Sequence, residues 1–167
     1  GGTAGVAAPG WTAGAAVGDV DGDGWPDLFV ANDTQPNKLY RNVGNGKFDE
    51  VGVQAGVAFS EDGKARAGMG VDAADYDNSG FPSVAVTNFD NEMLGLFRNQ
   101  GDGTFVDVAP ASELGSITRG SLGFGCLFLD ANLNGSMDLL MVNGHIDEVA
   151  ASVRSDSAME QPPLGGT

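Results

Sequence analysis

The sequence predicts an all-β molecule built by repetition of four-stranded units, and three observations carry that prediction. DVDGDGWPDLFVAN at 19–32 returns as DYDNSGFPSVAVTN at 75–88 and as DANLNGSMDLLMVN at 130–143, at spacings of 56 and 55 residues. Downstream of it, LYRNVGNGKFDEV at 39–51 returns as LFRNQGDGTFVDV at 96–108. Between these lie short apolar runs separated by glycine- and aspartate-rich turns, with no helical period. A stacked β-sandwich could hold such strands, but a fixed period of this length favours radial repetition, that is, β-propeller-type blades.

Taken in order, the first unit reads as strand one near 13–18, an acidic loop at 19–27, strand two at 28–32 and strand three at 38–42. VGNG then turns the chain into strand four at 47–51. DLFVA, SVAVT and DLLMV are apolar on both faces, as expected of strands covered on both sides. KLYRN and KFDEV alternate apolar and polar residues, as expected nearer an edge. A glycine stands five positions before each first aspartate (Gly14, Gly70, Gly125), and an asparagine closes each central run (Asn32, Asn88, Asn143). After Asn143 no LYRN-like or GDGTF-like segment follows, so the third unit is cut short. The expected organisation is one repeat domain over 1–167: blade one about 11–55, blade two about 66–110, and a partial blade three about 120–167. Three repeats of roughly 55 residues make a partial propeller or a fragment, because propellers use about four to eight blades. Its expected partners are therefore further blades of a longer chain or other copies of itself. The absence of an initiating methionine before Gly1 fits a processed chain or a piece of a longer one.

Bulk properties narrow the function. A hydrophobic content of 41% suits a globular chain rather than a disordered one. A net charge of -15, from 23 acidic and 8 basic residues, repels phosphate backbones and anionic lipid, so no nucleic-acid partner is expected. Apolar runs such as CLFL and DLLMV are too short to span a bilayer, so no membrane insertion is expected. Cys126 is the only cysteine, which rules out an intrachain disulfide.

DVDGDGWPD at 19–27 places four carboxylates in nine residues directly before a buried run. Divalent cations relieve that repulsion. Calcium takes roughly six to eight oxygen ligands in a flexible geometry, and a nine-residue loop with acceptors at positions 1, 3, 5 and 9 and a carbonyl at 7 wraps one ion. The first loop offers Asp19, Asp21, Asp23, the Trp25 carbonyl and Asp27, with Gly24 at the sharp turn. The second offers Asp75, Asp77, Ser79, the Phe81 carbonyl and Ser83. The third offers Asp130, Asn132, Asn134, the Ser136 carbonyl and Asp138. Up to three Ca²⁺ ions are thus expected, and ligand charge ranks the loops first, third, second. An EF-hand is excluded because Val30, Val86 and Met141 stand at position 12, where glutamate is needed. The competing explanation is a metal-free turn, since Asp, Asn and Gly favour turns by themselves.

No catalytic constellation stands out. His145 is the only histidine, and a turn histidine beside a core cysteine explains it better than a Cys126–His145 nucleophile pair. Ser121 lies in TRGSLG, not in a nucleophile elbow. GMGVDA at 68–73 mimics a dinucleotide fingerprint, but no helix pattern follows it. Asp49–Glu50 and Asp147–Glu148 are adjacent pairs that a strand would point to opposite faces. Arg41 and Arg98 recur in register, which suggests a repeated structural contact. Trp11 and Trp25, the only tryptophans, are expected near repeat-core positions, which disfavours a sugar-binding aromatic platform.

Over residues 11–144 the pattern resembles the FG-GAP or VCBS-type repeats of integrin α-subunit propellers, whose calcium loops follow D-x-D-x-D-G-x-x-D. The phenylalanine–glycine pair that names the repeat stands in SLGFGCLFLDANLNGSMDLL. With its LYRN and GDGTF segments, the whole pattern is most similar to the cartilage acidic protein and bacterial ASPIC/UnbV-type secreted family. Ser83 departs from that pattern where it expects aspartate. The resemblance implies a secreted, extracellular, calcium-stabilised scaffold for protein, matrix or glycan interaction, without catalysis. Two other functions remain open: a subunit of a self-assembling fibre or tube, and an accessory propeller module of a secreted carbohydrate-active enzyme.

Overall fold

The computed structural model describes residues 4–6 and 10–144. They form ten strands in three antiparallel sheets. The first sheet holds β1 (Thr12–Gly18), β2 (Asp27–Asn32), β3 (Lys38–Asn42) and β4 (Phe48–Glu50), ordered β1-β2-β3-β4. The second repeats it with β5 (Gly68–Ala74), β6 (Ser83–Asn88), β7 (Gly95–Asn99) and β8 (Phe105–Asp107). The third pairs β9 (Gly123–Leu129) with β10 (Asp138–Asn143). Each sheet is a simple meander, and together they make an open run of propeller-type blades rather than a closed ring. Of the sequence-predicted strands of the first unit, the third coincides with β3 and the others differ by one residue at one end or both.

Two short helices, α1 (Gly52–Ala55) and α2 (Glu113–Thr118), and a 3₁₀ turn at Ala109–Ala111 occupy the blade connections. The sequence gives no helical period there because none of these pieces is long enough to express one.

The blades pack face to face. Phe29 and Ala31 of β2 meet Val84 and Val86 of β6 in one core cluster, which also takes in Val20, Leu39, Val57, Phe97 and Phe105. Ala85 meets Met141 in a second cluster, with Leu139, Cys126, Phe128 and Tyr76 packed against it. Strands two of the first two sheets are accordingly buried along almost their whole length, as double-sided apolar strands require.

The recurring glycines bring the first strands together. A Cβ on Gly14 would stand 2.7 Å from the Met69 carbonyl oxygen, and one on Gly70 would stand 2.4 Å from Gly125 Cα. Both are impossible contacts, so only glycine lets β1 meet β5, and β5 meet β9, at this distance. The first two of the recurring asparagines close the loop after strand two. Asn32 Nδ2 donates to the Pro36 carbonyl (2.8 Å) and Asn88 Nδ2 to the Met93 carbonyl (2.7 Å).

Candidate metal centre

The three acidic loops join the first and second strands of their sheets, so all leave the same end of each blade. Their backbones coincide at two positions. Position 6 is left-handed glycine in each: Gly24 (φ 88°), Gly80 (φ 90°) and Gly135 (φ 87°). Position 4 is also left-handed: Gly22 (φ 73°), Asn78 (φ 55°) and Leu133 (φ 59°).

The first aspartate holds each loop closed. Asp19 accepts from the amides of Gly22 (2.9 Å), Asp23 (3.1 Å) and Gly24 (2.9 Å). Asp75 accepts from Ser79 (2.8 Å) and Gly80 (2.8 Å), and Asp130 from Asn134 (3.0 Å) and Gly135 (2.8 Å). Position 3 adds weaker support: Asp21, Asp77 and Asn132 each accept from the amide at position 5. These bonds curl each loop back on its first aspartate.

In the first loop, ligand-capable oxygens of Asp19, Asp21 and Asp27 lie within 4.8 Å of one another. Among the described residues no other group of three acidic, histidine or cysteine side chains comes as close. The donors are hard carboxylate oxygens, which suits a hard divalent cation such as calcium and not a thiophilic metal. This cluster can hold a metal ion. Asp23 stands apart from the three: its Oδ1 accepts from the Trp25 amide at 2.8 Å. Arg41 approaches Asp21 at 3.9 Å from an exposed position, so it neutralises the cluster only weakly.

Position 9 separates the loops most clearly. Asp27 is buried, with Oδ2 accepting from the Val20 amide (2.9 Å) and Oδ1 from the Asn42 amide (2.8 Å). Burial pushes its carboxyl above the usual range; the two amides pull it down, and the carboxylates of Asp21 and Asp23 push it further up. Asp138 keeps the first of these bonds, accepting from the Ala131 amide at 3.1 Å. Ser83 keeps the second, accepting from the Asn99 amide at 3.0 Å, but brings no charge to its loop.

Both tryptophans differ from the sequence expectation. Trp25 is 52% exposed and Trp11 75% exposed. Trp25 occupies loop position 7, and its ring lies over the β3–β4 turn, 3.8 Å from where a Gly44 Cβ would be. Phe81 does the same over Gly101 in the second blade. Trp25 thus clamps its loop to the outer hairpin of its own blade, whereas Phe81 does so and also reaches between blades, 3.5 Å from where a Gly22 Cβ would be. Apolar residue type alone cannot distinguish these two roles.

Burial, with Asp72 nearby, pushes the Cys126 thiol up to about 12, so it is protonated and not nucleophilic. His145 lies outside the described residues, as do Asp147 and Glu148. GMGVDA falls within strand β5 and its start. At the end opposite the acidic loops, a cavity of about 540 Å³ lies among the blade connections. Its charges are largely paired within the fold: Lys64 with Asp62 and Arg66 with Asp107 (3.0 Å each), and Glu92 with the Ala67 amide (2.8 Å). Among the described residues no helix is long and apolar enough to cross a membrane.

Comparison with known proteins bears on the repeat. Cartilage acidic protein 1 of Mus musculus is 32% identical over 122 residues, which is 73% of this chain and 17% of that protein. Cartilage acidic protein 1 of Xenopus tropicalis is 29% identical over 98 residues, 58% of this chain and 14% of its own length. The chain therefore spans less than a fifth of the curated relatives it matches. A family model for the FG-GAP-like repeat matches twice, over residues 19–86 and 75–141, each match running from one acidic loop through the next strand two. Two matched repeats that share the loop at 75–83, on blades of the predicted order, make this chain a member of the FG-GAP repeat family.

Proposed function

We propose that this chain is a calcium-stabilised, extracellular interaction scaffold without catalytic activity. The observation that carries the reading is the three-carboxylate cluster of Asp19, Asp21 and Asp27, set in a loop whose backbone form recurs twice in register. Asp19, Asp21, Asp23, Asp27 and the Trp25 carbonyl would hold the ion in the first loop. Asp130, Asn132, Asn134, Asp138 and the Ser136 carbonyl would hold it in the third. The second, with Asp75, Asp77, Ser79, Ser83 and the Phe81 carbonyl, is the weakest because only two of its side chains are carboxylates. When bound, the ion neutralises carboxylates that otherwise repel one another beside the blade core.

Selective binding to the folded state adds RT ln(1 + [Ca²⁺]/Kd), about 2.7 kcal/mol per site at a hundredfold excess over Kd. Replacing calcium with EDTA should therefore lower the melting temperature and open the chain to protease near 19–27. Identical melting curves with and without EDTA would refute the calcium reading.

The interaction half of the proposal rests on the third sheet. Leu140 and Val142 stand at the register positions that Phe29 and Ala31 hold in the first sheet and Ala85 and Thr87 in the second. Those four are buried, whereas Leu140 is 36% and Val142 56% exposed. A face of that shape fits another blade of the same kind, either from a longer chain or from a second copy in a fibre or tube. The exposed Trp25 and Trp11 favour a second reading, a glycan-binding accessory module. Quenching of tryptophan emission by oligosaccharides would support it.

A further inference from the structure

Loop one is not held by its own blade alone. Asn99, at the end of β7 in the second blade, donates its side-chain amide to two carbonyls: Pro82 of its own blade (3.0 Å) and Val20 of the first (2.7 Å). Val20 is position 2 of loop one, between the predicted ligands Asp19 and Asp21. Its side chain is 4% exposed and packs in the cluster shared by the two blades. Its amide, in turn, donates to Asp27 at 2.9 Å. One residue of loop one is thereby fixed at its amide by a carboxylate of the cluster, at its carbonyl by the next blade, and at its side chain by the core between them. The second loop repeats the wedge: Tyr76, also position 2, stacks on Phe128 of the third sheet at 5.9 Å and 4°.

We propose that Asn99 is a positioning residue for the metal centre of the neighbouring blade, so that calcium in loop one locks the junction between blades one and two. The inference rests on the calcium reading. It extends that reading by assigning the site a dependence on a residue outside the loop motif, 72 residues beyond Asp27. Fixing Asp19, Asp21 and Asp27 around a cation immobilises the backbone at Val20, and the Asn99 amide and the Val20 side chain pass that order to β7. Read in reverse, an ordered second blade pre-shapes loop one, which raises its affinity. Supporting residues of this sort commonly change metal affinity by about 10–100-fold.

The test uses the whole chain carrying Trp11→Phe, so that Trp25, at position 7 of loop one, is its only tryptophan and reports calcium there by its emission. Asn99→Ala should raise the Kd for that signal by on the order of tenfold. Calcium should also slow amide exchange over Gly95–Asn99 in the parent, and this protection should disappear in the variant. Because Asn99→Ala also loses the bonds to the Pro82 carbonyl and from the Gly101 amide, Val20→Ala serves as a second variant that removes no hydrogen bond and should weaken the same titration. A Kd unchanged within twofold in both variants, or calcium binding with no added protection in β7, overturns the latch while leaving the calcium reading intact. Absence of any calcium response in the parent overturns both.

Discussion

Ser83 and Asp27 occupy the same place in successive blades and show two duties that one carboxylate can combine. Asp27 accepts from the third strand through Asn42 and from its own loop through Val20, and presents charge to Asp19 and Asp21. Ser83 retains only the bond to the third strand, through Asn99, while the Tyr76 amide donates to Ala74 instead. Ser83→Asp should therefore restore a third carboxylate to loop two and raise its calcium affinity by on the order of tenfold. Calorimetric titration in a background lacking Asp19 checks it, and an unchanged isotherm would contradict the assignment. Leu133 gives a second residue-scale prediction. It is 88% exposed and left-handed (φ 59°), at the position where the sister loops carry Gly22 and Asn78. A left-handed leucine costs roughly 1–2 kcal/mol, most of which asparagine avoids. Leu133→Asn should raise the urea midpoint by an amount equivalent to about 1 kcal/mol. At this scale the sequence made the spacing of the loops and the glycine at position 6 legible, because both are local. It did not reveal Asn99, whose role depends on which blade lies next to it, nor the exposure of Trp25, which depends on the turn beneath it.

Among the elements, the strands were readable because apolar runs and turn residues mark them within a few residues. The connections were not, since α1 and α2 are shorter than a helical pattern needs. The in-register glycines announced a shared constraint without stating it, and the packing of first strands supplies the reason. That packing makes an asymmetric prediction. A methyl group on Gly70 would collide with the Gly125 backbone, whereas one on Gly125 would meet nothing within 4 Å. Gly70→Ala should destabilise the contact between the second and third sheets by ~1–3 kcal/mol, the usual cost of forcing atoms into packed space. Gly125→Ala should leave the melting temperature nearly unchanged. Equal effects of the two substitutions would mean that β5 and β9 do not meet as described.

At the scale of the whole molecule, the first two blades cover faces that the third leaves exposed. Each blade buries one face of its second strand against the following blade, and the third sheet presents that face to solvent with Leu140, Val142 and, from β9, the 49%-exposed Leu127. Burying a leucine or valine fully is worth about 1.5–3 kcal/mol, so this face gains substantially from any sheet of matching shape. Unpaired apolar sheet surfaces of this kind recruit other chains. At micromolar concentration the chain should therefore scatter light as a species heavier than its own 17.0 kDa. Leu140→Glu together with Val142→Lys places charges on the exposed face without entering the clusters that join the three sheets. The double variant should return the mass toward that of one chain while the first two blades melt as before. If the unmodified chain already runs as a monomer, the third sheet does not self-associate and this prediction fails.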